Sequence, residues 1–171
     1  MSRIVGSPAE AAIRDFRAKF VPLLSTVAAI LLALLPIVAQ TPMLPDFGFL
    51  MLIAWRLLRP EIWTAPMALA LGLISDLVTG HPLGQGMLLW TAIFLAIDLI
   101  DRRLGFRDYW MDWLIAAGAL IFQTVGAWYI ALLMHSDVRF AVMLPQIGLS
   151  VLGYPIVARS VVGLDRWRLM R

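Results

Sequence analysis

The sequence predicts an all-α, polytopic integral membrane protein of six transmembrane helices. Three observations lead there. The chain is 61% hydrophobic and only 15% charged, too apolar for a water-soluble domain to cover itself with polar surface. Its apolar residues gather into six runs, Phe20–Ala39, Phe47–Leu58, Trp63–Val78, Met87–Ile100, Trp113–Met134 and Phe140–Val162. Thirteen of its fourteen Lys and Arg residues fall on alternate sides of those runs. With the N-terminus inside, the inside gaps hold Arg3, Arg14, Arg17, Lys19, Arg56, Arg59, Arg102, Arg103, Arg107, Arg159, Arg166, Arg168 and Arg171. The outside gaps hold only Arg139. Short basic loops resist translocation, so this pattern puts both termini in the cytoplasm of a cell with an inner membrane.

Residues 1–19 precede the first run as a cytoplasmic segment. That run is about 20 residues long, enough to cross roughly 30 Å of hydrocarbon. It lacks an A-x-A cleavage site, so it reads as a retained anchor. Pro36 near its end is expected to kink it. The second run, Phe47–Leu58, covers only about 18 Å at roughly 1.5 Å per residue. Like the third and fourth, it must be shielded by neighbouring helices or lie in a thinned bilayer. The fifth and sixth runs reach full length, with Pro145 and Pro155 expected to kink the sixth and residues 163–171 forming a basic cytoplasmic tail. Trp55, Trp63, Tyr109, Trp110, Trp113 and Trp167 fall near the inner ends, where an aromatic belt belongs. An alternative folds the short runs back as re-entrant loops, leaving four spans, but it spoils the arginine count. No linker or low-complexity stretch divides the chain, so residues 1–171 form one membrane domain.

Composition also narrows the chemistry. With no cysteine there is no disulfide, thiolate metal site or thiol nucleophile. The high pI follows from arginines that hold the inner face against membrane lipid, and does not imply nucleic-acid binding. His81 and His135 fall in outer loops without a second ligand at metal spacing. No nucleophilic-serine, phosphate-loop or dinucleotide motif is present. The sequence therefore points to a protein that is not an enzyme and needs no cofactor.

Asp76 is the most informative polar residue. Ala68, Gly72 and Asp76 follow at four-residue spacing and share one face of the third helix. Small residues in that register let another helix approach closely, and the acid then faces protein or water. A packing interface, a hydrogen bond or a helix-end cap is the plainer reading; a proton or ligand role is the other. Asp98 near the end of the fourth run is expected to pair with Arg102 at i+4. The expected threading places Asp76 and Asp98 near opposite faces of the membrane, which argues against a protease dyad. The outer turn after Asp76 carries Gly80, Pro82, Leu83 and Gly84: Gly80 ends a helix and Pro82 cannot continue one, so a tight helical-hairpin turn is the plainer reading, while the density of Gly and Pro suits close approach of a partner. Gln123 and Thr124 in the fifth run, and Gln146 and Ser150 in the sixth, are the other polar side chains at mid-membrane depth. Gln123 is expected to hydrogen-bond between helices, and a small polar cavity is the alternative.

The stretch from Gly72 through Asp76, Gly80, Pro82, Leu83 and Gly84 to Gln85 resembles the signature of the MreD family of bacterial rod shape-determining membrane proteins. That signature runs approximately G-L-x-x-D-hydrophobic-x-x-G-x-P-L-G, and this chain follows it throughout. Leu44-Pro45-Asp46 and Arg59-Pro60 agree with the family, as do the length and the basic tail. The resemblance implies a non-enzymatic component of the cell-elongation machinery in the bacterial inner membrane. It would work with MreC, and with MreB and RodA with its penicillin-binding transpeptidase, in lateral peptidoglycan synthesis. It also implies a helical bundle similar to the substrate-binding S-component of energy-coupling-factor vitamin transporters. Ala29-x-x-x-Ala33 faintly matches the coupling motif of those S-components and is equally an ordinary close-packing motif. A small-solute binding subunit is thus the rival expectation.

Overall fold

In the computed structural model, residues 8–35, 44–103, 107–136 and 139–169 are described. They form six helices: α1 Pro8–Leu31, α2 Phe47–Leu58, α3 Ala65–Thr79, α4 Gln85–Arg103, α5 Tyr109–Leu133 and α6 Leu144–Leu169. Single 3-10 turns, Leu32–Leu34 and Phe140–Met143, end α1 and lead into α6. No strand occurs among the described residues. The expected end of the first span and its Pro36 lie outside them. Helices α5 and α6 are long and apolar enough to cross a membrane, whereas Phe20–Leu34, α2 and α3 are apolar but shorter.

Helix ends run past the apolar runs. Helix α1 starts at Pro8, twelve positions before the expected span, and α6 continues to Leu169. The added segments, residues 8–19 and 163–169, carry several charged residues and so no sustained hydropathy signal, while Ala, Leu and Arg in them favour helix. Elsewhere local chemistry sets the boundaries. The Asp46 carboxylate accepts the Phe49 N–H at 3.0 Å and caps α2. Pro66 occupies the first turn of α3, where a missing N–H costs nothing. Gly80 ends α3 in the left-handed region at φ 72°, a conformation that glycine adopts without strain.

The short α2 sits in the middle. It packs against α1, α5 and α6, and nine of its twelve residues are buried. Phe49, Leu52, Ile53 and Trp55 join Trp63, Trp90 and Phe94 in the core. Neighbouring protein, not thin bilayer, therefore shields this helix. The same burial corrects the aromatic belt: Trp55 and Trp63 are core residues, and Trp55 Nε1 donates to Ser25 Oγ at 2.9 Å. Tyr109, Trp110 and Trp167 remain exposed.

The prolines of α6 also differ from expectation. Pro145 lies in the first turn of the helix, where it disrupts nothing. Pro155 is interior, yet α6 runs unbroken through it. Its missing N–H orphans the Val151 carbonyl, and Trp113 Nε1 donates to that oxygen at 3.2 Å.

Candidate functional site

Helices α3 and α4 form the tightest pair in the bundle. The Ala68–Gly72–Asp76 stripe lies fully buried, and the helix it admits is the chain's own α4. A Cβ on Gly72 would stand 2.6 Å from the backbone of Gly86, and one on Gly86 would stand 2.8 Å from the Gly72 carbonyl. Backbone therefore meets backbone. At the end of the stripe Asp76 closes the turn: Oδ2 accepts the Gly84 N–H at 3.0 Å and Oδ1 the Gly86 N–H at 2.8 Å. These donors lie just before α4 and in its first turn, where backbone N–H groups have no partners within the helix. An acid also suits the positive end of that helix. Gly84 holds φ at 99°, so the motif's final glycine meets a backbone demand. Gly80 and Leu83 are exposed and Pro82 half-buried, leaving the turn as the open part of the signature.

Beside this turn a cleft of about 710 Å³ enters the bundle. Its wall draws on the end of α1, the start of α2, the α3–α4 turn, α5 and α6. Gln123, Thr124, Gln146 and Ser150 all line it, so the polar side chains scattered through the last two runs converge. Gln123 makes no bridge between helices: its Oε1 is shielded from solvent and has no hydrogen-bond donor among the described residues. Thr124 and Ser150 donate to the carbonyls of Leu120 and Gln146, one turn back. Asp46 also lines the cleft, and burial raises its pKa above the usual 3.8 despite the Phe49 N–H. His81 is an exposed turn residue whose Nδ1 lies 2.8 Å from Thr79 Oγ1. No group of three or more potential metal ligands occurs among the described residues.

The opposite end holds a charged lattice that spacing along single helices did not reveal. Asp98 does not pair with Arg102, which is exposed; it pairs with Arg56 of α2. Arg56 also meets Asp101 at 3.1 Å. Arg107 pairs with Asp101, contacts Asp112 at 2.8 Å and donates to the Leu57 carbonyl at 2.8 Å. Asp165 accepts from Arg59 and Arg168, each at 2.7 Å. Arg17 lies over the Trp167 ring, 5.6 Å from its centroid. Arginines from α1, α2, the α4–α5 loop and α6 thus meet at one end. The clue available in sequence was their shared assignment to the inside gaps.

These features define a class: an all-helical membrane protein with a clamped helical hairpin, an open, mostly apolar cleft with a few polar side chains, and a charged lattice at the far end. The profile of the family described as rod shape-determining protein MreD matches residues 14–159. The chain belongs to the MreD family, and is accordingly a rod shape-determining membrane protein. No curated protein and no solved structure matches it.

Proposed function

We propose that the chain crosses the bacterial inner membrane six times with both termini in the cytoplasm, and acts as a non-enzymatic binding subunit of the cell-elongation machinery. Its partner in this reading is MreC, whose membrane helix or juxtamembrane ectodomain lies against the α3–α4 turn and enters the cleft. MreB and RodA with its transpeptidase belong to the same assembly, which directs lateral peptidoglycan synthesis. The cleft carries the proposal: it opens beside the exposed Gly80–Leu83 turn, is mostly apolar, and offers Gln123 Oε1 as an unmet acceptor. An incoming backbone or side-chain N–H satisfies such a group. Gathering of the arginines at the other end supports the orientation.

Photo-crosslinkers at His81 and Leu83 are expected to capture MreC in living cells. Depletion is expected to turn rod-shaped cells round while peptidoglycan chemistry persists in extracts. Reporter fusions at Gln85 and Arg171 should report opposite compartments; a cytoplasmic Gln85 overturns the threading. The unmet Gln123 acceptor in a cavity of this size also favours a second reading, a small-solute binding subunit of S-component type. Loss of solute uptake on depletion, with cell shape and wall insertion unchanged, would select that reading instead.

A further inference from the structure

A second cavity, of about 380 Å³, lies at the arginine end, between α2, α5 and α6. Its walls are apolar, with Leu57 and Leu58 of α2 facing Ala158 and Val162 of α6. Tyr109, Tyr154, Arg159 and Arg166 also line it. Arg159, Gly163 and Arg166 follow at spacings of four and three, hence on one face of α6. The two arginines are about 10 Å apart along the axis at roughly 1.5 Å per residue. Unlike Arg56, Arg59, Arg107 and Arg168, neither forms an ion pair with any described residue. One carboxylate, Asp112, also lines the pocket; its Oδ1 lies 2.8 Å from Arg107 Nε as an ion pair but accepts no hydrogen bond among the described residues. Arg166 also lies beyond the stretch matched by the family profile.

Two uncommitted guanidinium groups over an apolar slot complement one kind of molecule, an amphiphile with an anionic head. Guanidinium matches phosphate in geometry and charge, and basic pockets between helices at the cytoplasmic face take acidic headgroups. The pocket is walled in part by α5 and α6, the two helices long and apolar enough to cross a membrane and carrying many exposed apolar side chains, which suits a neighbouring acyl chain. We propose that this pocket is a binding site for an anionic phospholipid of the inner leaflet. Arg159 and Arg166 hold the phosphate, Tyr109 offers its hydroxyl at the rim, and the apolar slot takes the upper part of one acyl chain.

The test uses the full chain purified into detergent and titrated with cardiolipin, phosphatidylcholine or inorganic phosphate, with bound lipid counted by native mass spectrometry. Cardiolipin is expected to bind at least about tenfold more tightly than phosphatidylcholine, and the R159Q/R166Q double variant to lose about that factor. Gly163→Leu fills the pocket and keeps both charges; a Cβ there meets nothing within 4 Å, so the fold tolerates it, and binding should fall equally. Two controls are expected to bind as the parent does: R102Q/R103Q, which removes exposed charge at the same end, and Gly153→Leu, whose Cβ is equally unobstructed. Melting temperatures in phosphatidylcholine identify any variant that misfolds, and the other pocket variant then decides. Equal loss in R102Q/R103Q, unchanged binding in both pocket variants, or displacement by equimolar inorganic phosphate overturns the proposal.

Discussion

Arg56 of α2 is paired with Asp98 of α4, 42 positions further along the chain. The arginine side chain is only 3% exposed, the aspartate 36%. A buried guanidinium is tolerated when charge and hydrogen bonds compensate its lost hydration. Asp98 supplies one partner and Asp101 a second, while the Phe94 ring lies 5.7 Å from the guanidinium carbon. Asp101 is shared with Arg107, which donates to the Leu57 carbonyl in the last turn of α2. Helices α2 and α4 and the loop after α4 are thereby tied at one end by two arginines and two aspartates.

Because Asp101 backs up Asp98, single and double substitutions should differ sharply. Asp98→Asn is expected to lower stability by about 1 kcal/mol, and the double change with Asp101→Asn by about 3–5 kcal/mol, as Arg56 is then left buried without a counter-charge. Arg102→Gln is expected to be silent. Thermal unfolding in detergent measures all three; an Arg102→Gln loss as large as that of Asp98→Asn would restore the i+4 pairing.

At the other end Asp76 holds two backbone N–H groups. Asparagine keeps one accepting oxygen of similar shape, whereas leucine orphans both donors at roughly 1–3 kcal/mol each. Asp76→Asn should therefore be clearly milder than Asp76→Leu in melting temperature and in restoring rod shape to depleted cells. Equal, complete loss of shape with both, in protein that still folds, would indicate a required charge.

Gly72→Ala is expected to destabilise by about 1–3 kcal/mol, since its Cβ meets fixed backbone of α4 and no flexible side chain that can move aside. Gly153→Ala, whose Cβ has open space, should leave stability unchanged or raise it slightly through helix propensity. A Gly72→Ala melting temperature equal to that of the parent would contradict the close crossing of α3 and α4.

Stability should respond to pH through two aspartates of opposite sign. For Asp165, beyond the apolar part of α6, burial alone would raise the pKa. Hydrogen bonds from Arg59 and Arg168 outweigh it and hold the pKa below the ordinary 3.8. Its contribution is present above the unfolded pKa and lost as pH falls through the folded one, so Asp165→Asn should flatten the acid limb below about pH 4. Asp46 is the reverse, raised by burial, so its charged form weakens the fold at neutral pH. Asp46→Asn keeps a capping side chain and should raise the melting temperature near pH 7. Unfolding curves between about pH 3 and 7 check both.

Much of this was written in the sequence where the signal is local. Gly80 as the end of α3 and the small-residue face ending at Asp76 follow from spacing and backbone chemistry, and both stand in the structure. Grouping of the arginines anticipated that they share one end. Partners separated by long stretches were not legible. Asp98 sits at helical spacing from Arg102, and nothing in the chain marks Arg56 as nearer. Trp55 and Trp63 look like interfacial aromatics because hydropathy alone does not distinguish a span that faces lipid from one enclosed by other helices. Gln123, Thr124, Gln146 and Ser150 become one cleft only once α5 and α6 lie side by side.

The clamp at Asp76 spans 8 and 10 residues, while the Arg59–Asp165 contact spans 106. Short loops close at small entropic cost and long ones at a larger one. The α3–α4 hairpin can thus form as soon as its two helices have left the ribosome, with no help from the rest of the chain. Asp165 is synthesised 106 residues after Arg59, and its latch onto Arg59 cannot form until α6 has arrived. Biogenesis thus has a built-in order, an early hairpin and a late closing bolt. A chain truncated before α6 should retain the first and lack the second.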